Sequence, residues 1–148
     1  MLGYPKIVRD LVNGTRWDAS RMPTQHGRVA VVAGANSGLG RQTSLELARQ
    51  GAHVIMACRS SDKASRAARE IRKLVPGAGL SFQTLDLSSL SSVRACASAI
   101  LQNHERLDLL INDAGVMFLP EERSVDGFEI HMACNHLGHF LLTGLLLA

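Results

Sequence analysis

The chain has 148 residues, 46% of them hydrophobic and 20% charged, enough apolar material for one domain with a sizeable core and too much for a disordered chain. A net charge of +3, scattered over residues such as Arg41, Arg66, Arg69 and Arg72 with no basic run among aromatics, leaves no nucleic-acid footprint. Cys58, Cys96 and Cys134 are odd in number and lack CxxC spacing, which argues against a disulfide framework or zinc site and for a reducing, cytoplasmic setting.

Residues 1–27 read as an N-terminal arm. Pro5, Lys6, Arg9 and Asp10 interrupt any secretory signal. Ile7, Val8, Leu11 and Val12 share one helical face, so a short amphipathic helix docking on its own domain or a partner is expected there. It is short and weakly basic for a membrane-surface helix. The closing "FLLTGLLLA" falls short of the roughly 20 apolar residues a bilayer span needs, so no membrane association is expected.

From residue 28 the pattern alternates. Val29 to Ala33 is a continuous apolar run, as in a strand buried on both faces. Glycines follow, then Leu39, Thr43, Leu47 and Ala48 at helical spacing, stopped by Gly51. His53 to Cys58 forms a second strand. Ala64, Ala67, Ala68, Ile71, Leu74 and Val75 line a second helix, with Ser61 or Asp62 as its cap and Pro76-Gly77 as its stop. A third strand over 80–85 leads to Asp86. A third helix carries Leu90, Val93, Ala97, Ile100 and Leu101, a fourth strand covers 107–111, and a long last helix is expected from near Asp126. Strands alternating with helices at this period predict an α/β domain over 28–148 with a parallel sheet, because parallel neighbours need a crossover helix.

The first strand runs through Gly34-Ala35-Asn36-Ser37-Gly38-Leu39-Gly40 directly into a helix. Glycines there permit a tight turn and a close approach of backbone to a pyrophosphate, and the helix's positive end faces that anion. As bare text G-x-x-x-G-x-G is weak, but this position makes it a dinucleotide-binding candidate. Where an NAD site would place a carboxylate after the second strand, Cys58 and Arg59 stand instead. A guanidinium suits a 2′-phosphate, which favours NADP(H) and leaves NAD(H) possible. The plainer reading of Arg59 is a solvated strand-end residue.

Together, Gly34, Gly38 and Gly40, Asp86 after strand three, Asn112-Asp113-Ala114-Gly115 after strand four, and Asn135 in the last helix resemble the short-chain dehydrogenase/reductase family, from about residue 28 onward. "ANSGLGR", "MACRS", "DGFE" and "NHLGHFLLT" narrow the likeness to its retinol-dehydrogenase-like branch, which includes the oxidoreductase part of a WW-domain protein. The resemblance implies a Rossmann-type sheet with flanking helices, here of about four strands in the order 3-2-1-4, and reversible oxidation of an alcohol to a carbonyl on a lipophilic, retinoid-like substrate. It implies that Gly34, Asn36, Ser37, Gly38, Leu39 and Gly40 form the pyrophosphate turn. Asp86 would accept from the adenine amino group with Leu87 beside the ring, and Asn112, Ala114 and Gly115 would sit against the adenosine ribose. Asn135 would hold a water in the catalytic relay. The plainer readings are a helix cap shared with Ser88 for Asp86, and a satisfied helix kink for Asn135.

Two positions depart from the family pattern. Ala33 replaces the usual Thr, a loss of about one hydrogen bond, or about 1 kcal/mol. Asp113 replaces Asn; buried and unpaired it would be costly, and partly exposed it would be tolerated. His131, His136 and His139 invite a metal reading, but no carboxylate or cysteine completes a ligand set, so no metal is expected and the last two read as packing or hydrogen-bonding residues.

The family's Tyr-x-x-x-Lys is not found in the chain. Tyr4 precedes the glycine turn, and Lys6, Lys63 and Lys73 lie away from the expected catalytic end. The sequence therefore reads as the N-terminal portion of an oxidoreductase, expected to be inactive alone. Its alternatives are a non-catalytic nucleotide-binding or interaction module, or an incomplete record. The fourth strand is expected at an open edge, with Phe140, Leu141, Leu145 and Leu146 exposed on a last helix through which copies could associate.

Overall fold

The computed structural model describes residues 18–147; the amphipathic helix expected over residues 7–12 lies outside them. After a single 3-10 turn at Ala19–Arg21 come β1 (Val29–Ala33), α1 (Gly38–Arg49), β2 (His53–Cys58), α2 (Ser61–Leu74), β3 (Leu80–Thr84), α3 (Leu90–Asn103) and β4 (Leu109–Asn112). A last helical run combines α4 (Ile130–Met132), a π-helical turn (Ala133–Leu137) and α5 (Gly138–Leu146). The four strands form one parallel Rossmann-type sheet in the order β3-β2-β1-β4, matching the implied order.

Because side chains alternate across a strand, β1 and β2 feed two cores. Ala30, Val32, Val54 and Met56 pack against Leu45, Leu47 and Ala48 of α1 and Ala67 and Ile71 of α2. Val31, Ala33, Ile55 and Ala57 pack on the other face against Val93, Cys96, Ala97 and Ile100 of α3 and Leu142 and Leu146 of α5. The sheet is thus sandwiched between helix pairs, and all its C-terminal ends open on one side. Among the described residues, no helix is long and apolar enough to cross a membrane.

Several local expectations are corrected. The cap of α2 is Ser60, whose extended backbone lets its Oγ accept from the Lys63 N–H, so Ser61 and Asp62 fall inside the helix. Leu39, Leu74 and Leu101 face solvent instead of the core, whereas on α5 Leu146 is buried and Leu141 and Leu145 are half-buried against the same core, which leaves Phe140 exposed as expected. The last helix begins at Ile130, capped by Glu129, and not near Asp126. Gly127 adopts φ +85° in a turn closed by Ser124 and Phe128, a backbone that cannot continue a helix. Asp126 instead accepts from the Leu90 N–H at 2.8 Å, tying this loop to the start of α3.

Candidate functional site

The open ends of the strands surround a cavity of about 460 Å³. In parallel α/β sheets this is where ligands collect, at the point where the chain switches to the other side of its first strand. Here the switch lies between β1 and β4.

The glycine turn forms one wall. Gly34, at φ +84°, donates its N–H to the Ala57 carbonyl at 2.8 Å, and a Cβ there would lie 2.9 Å from the Ala114 Cα. A Cβ on Gly40 would collide with the Gly34 carbonyl. The turn therefore folds tightly onto both β4's exit and α1, which only glycine permits. The first turn of α1 is bare: Ser37 makes no side-chain cap bond to it, and it carries no acidic residue. Unpaired N–H groups at a helix start, reached by close-packed backbone, suit a bound phosphate.

Of the residues singled out for cofactor binding, Gly34, Asn36, Ser37, Gly38, Leu39, Arg59, Asp86, Leu87, Ala114 and Gly115 line this cavity. Two do not. Gly40 lies buried behind the turn, and the Asn112 side chain turns away to Thr143, 2.9 Å from its hydroxyl. Leu87 reaches the cavity while its side chain packs where Gly138 admits it. Asp86 does not cap α3. Its Oδ1 accepts from the Ser88 N–H and hydroxyl at 3.0 and 2.7 Å, while Ser89 caps the helix through the Ser92 N–H.

Asn135 sits in the π-helical turn, outside the cavity lining, with its amide clamped on one residue. Oδ1 accepts from the Val116 N–H at 2.8 Å, and Nδ2 donates to the Val116 carbonyl at 2.9 Å. That clamp fixes the chain just beyond Gly115.

The structure gives further residues a place at or beside the site. Lys63, four residues after Arg59 and in the first turn of α2, lines the cavity beside it. A lysine at the positive end of a helix is locally unfavourable, and that was the available signal. Asp113 also lines the cavity and is exposed, so no buried charge arises from the departure to aspartate. His139 is buried, with Nδ1 3.0 Å from Asn112 Oδ1 and Nε2 2.7 Å from the Ala114 carbonyl. A carbonyl only accepts, so Nε2 donates to Ala114. His131 bonds Glu129 and Leu119, and His136 stacks loosely on Phe140. Among the described residues, no three His, Cys, Asp or Glu side chains gather as metal ligands.

Two thiols face the same space. Burial pushes Cys58 up to about 11. Burial, then the Asp86 carboxylate, raises Cys134, opposed by the Arg59 charge. Both are poor nucleophiles, since thiolate and not thiol reacts.

Comparison with known proteins places this geometry. The family model described as short chain dehydrogenase matches residues 28–148. Retinol dehydrogenase 11 of Mus musculus is 46% identical over 143 residues, 97% of this chain and 44% of that protein. An uncharacterized protein from Mycobacterium Paratuberculosis has a solved structure that superposes with TM-score 0.78 at 46% identity, covering 88% of this chain and 46% of the other. A metagenomic short-chain oxidoreductase in complex with NADP superposes with TM-score 0.71 at 29% identity, over 82% of this chain and 56% of that one. The chain thus spans less than half the length of the curated relative named here.

Proposed function

We propose a nucleotide-dependent redox role for this chain, which belongs to the short-chain dehydrogenase family: its cavity holds the adenosine-pyrophosphate half of NADP(H). When bound, that cofactor supplies hydride for interconverting an alcohol and a carbonyl. The observation that carries the reading is the bare start of α1 joined to a turn whose glycines admit no side chain.

The residues divide the work along the cavity. The N–H groups of Gly38 and its neighbours meet the pyrophosphate with the helix dipole behind them. Asp86 keeps Oδ2 clear of its turn with Ser88, where it can accept from the adenine amino group. Arg59 and Lys63 line the end nearest β2 and pair with a 2′-phosphate, Arg59 through a bidentate contact. The NADP in the solved metagenomic relative supports the same preference. Asn135 fixes Val116 and so shapes the wall toward the nicotinamide end, as a positioning residue at the start of the proton relay.

The retinol dehydrogenase relative supports a small lipophilic alcohol or aldehyde as substrate of the whole protein. The chain alone is proposed to bind cofactor without turnover, because the family's Tyr-x-x-x-Lys is not among its residues. Calorimetry of the purified chain with NADPH, NADP and NAD tests this. Binding of the first two, at least about tenfold tighter than NAD, is the expected result for two charge-assisted contacts. Equal affinity for NAD would remove the assignment of Arg59 and Lys63, and no binding by any of the three would remove the reading itself.

A further inference from the structure

The first turn of α1 lacks an anion of its own, yet a carboxylate lies against it. Asp113, at the exit of β4, places Oδ2 3.0 Å from where a Cβ on Gly40 would sit, and Gly40 is the third residue of α1. Asp113 lines the same cavity as Ser37 and Gly38, is exposed, and makes no hydrogen bond or ion pair among the described residues. No side chain among the described residues pairs with it, and the start of α1 lies beside it.

We propose that Asp113 sets the affinity of the nucleotide site, a role that rests on the dinucleotide reading above. In the free protein its negative charge complements the positive end of α1, where Ser37 supplies no cap bond and no acidic residue stands. When the cofactor binds, the pyrophosphate lies at the same helix end and so near a like charge. Asp113 thus stabilises the free state and weakens the bound one. An asparagine of the same shape would lose the first effect and relieve the second.

The test compares the purified full chain with D113N, using Asp113→Ser as a second variant of different shape. NADPH affinity is read by its fluorescence at low and high salt, with adenosine 2′-monophosphate, which lacks a pyrophosphate, as control. Both variants should bind NADPH about three- to tenfold tighter at low salt, with the gain shrinking as salt rises and no gain for the control. The free-state melting midpoint should fall by about 1–3 °C, the scale of one charge at a helix end. Unchanged or weaker NADPH binding in both variants overturns the inference, as does an equal gain for adenosine 2′-monophosphate or a melting midpoint that does not fall. If neither wild type nor variant binds NADPH at any salt, the dinucleotide reading itself fails, a result distinct from equal, measurable affinity in both.

Discussion

The sheet is built differently on the two sides of β1. Toward β2 the strands are sealed: Ala30 to Ala33 and Val54 to Cys58 are all buried, and the glycine turn closes by backbone meeting backbone. Toward β4 every strand residue is half-buried or exposed. The following loop carries Met117, Phe118 and Val125 at 72%, 92% and 81% exposure, with Phe118 in the left-handed region at φ +58°. That side is held by directional bonds: the Asn135 clamp on Val116, and His139 on Asn112 and Ala114. Steric fit secures one wall of the cavity and hydrogen bonds secure the other.

Adding a methyl group to each wall separates the two modes. Gly40→Ala drives a Cβ into the Gly34 carbonyl, a backbone obstacle that cannot step aside. It should cost about 3 kcal/mol, the upper end for overpacking, as read from the urea midpoint. Gly115→Ala meets the Asn135 side chain, with Oδ1 at 3.4 Å, and should stay within about 1 kcal/mol. A reversed order would break the comparison.

The bonded wall should fail by losing a donor. His139→Ala empties a buried position and takes a partner from the half-buried Ala114 carbonyl and from Asn112 Oδ1, which costs about 2 kcal/mol. NADPH binding should weaken as well, because Ala114 lines the cavity. His139→Gln, which keeps a donor, should recover part of both. If Gln is no better than Ala, the ring's packing and not its bonding holds this wall.

What the sequence makes legible follows the same division. Unbroken apolar runs mark β1 and β2 to the residue, and the glycines mark the turn, because sealed packing leaves a local imprint. Ser60, Ser61 and Asp62 are all good caps, and nothing local says that Ser60 is the one outside the helix. A polar Asn135 within an apolar run suggests a helix kink, but nothing local says that the irregularity is a π-helical turn or that the side chain bonds Val116. The contacts of His139 with Asn112 and of Asp113 with Gly40 join positions far apart in the chain. Only the fold brings them together, so the sequence suggests a hydrogen-bonding residue at His139 without naming its partners.

A smaller effect probes the start of the bonded side. Glu129 caps α4: Oε1 accepts from the His131 N–H at 2.9 Å and Oε2 from the Met132 N–H at 2.8 Å. Those backbone bonds, then the His131 ring, hold its carboxyl down to about 2 from an ordinary 4.5. The fold favours the ionised form, so the stabilisation is complete above about 4.5 and disappears as pH falls toward about 2. Glu129→Gln should melt below wild type at neutral pH, and the two curves should converge across that window. A gap that does not change with pH would mean that charge contributes nothing to this cap.

The smallest expected effect lies on the sealed side. Arg41 of α1 and Glu70 of α2 form an ion pair with side chains 46% and 55% exposed. Water screens such a pair, and ordering two long side chains offsets much of its attraction. Glu70→Gln should therefore change stability by less than about 0.5 kcal/mol, and the difference should vanish in high salt. The same helices bury Leu47 and Ile71 against β1 and β2, contacts worth about 1.5–3 kcal/mol for each large side chain. If Glu70→Gln instead costs as much as losing one of those, charge and not packing joins α1 to α2, and the sealed wall is held the same way as the other.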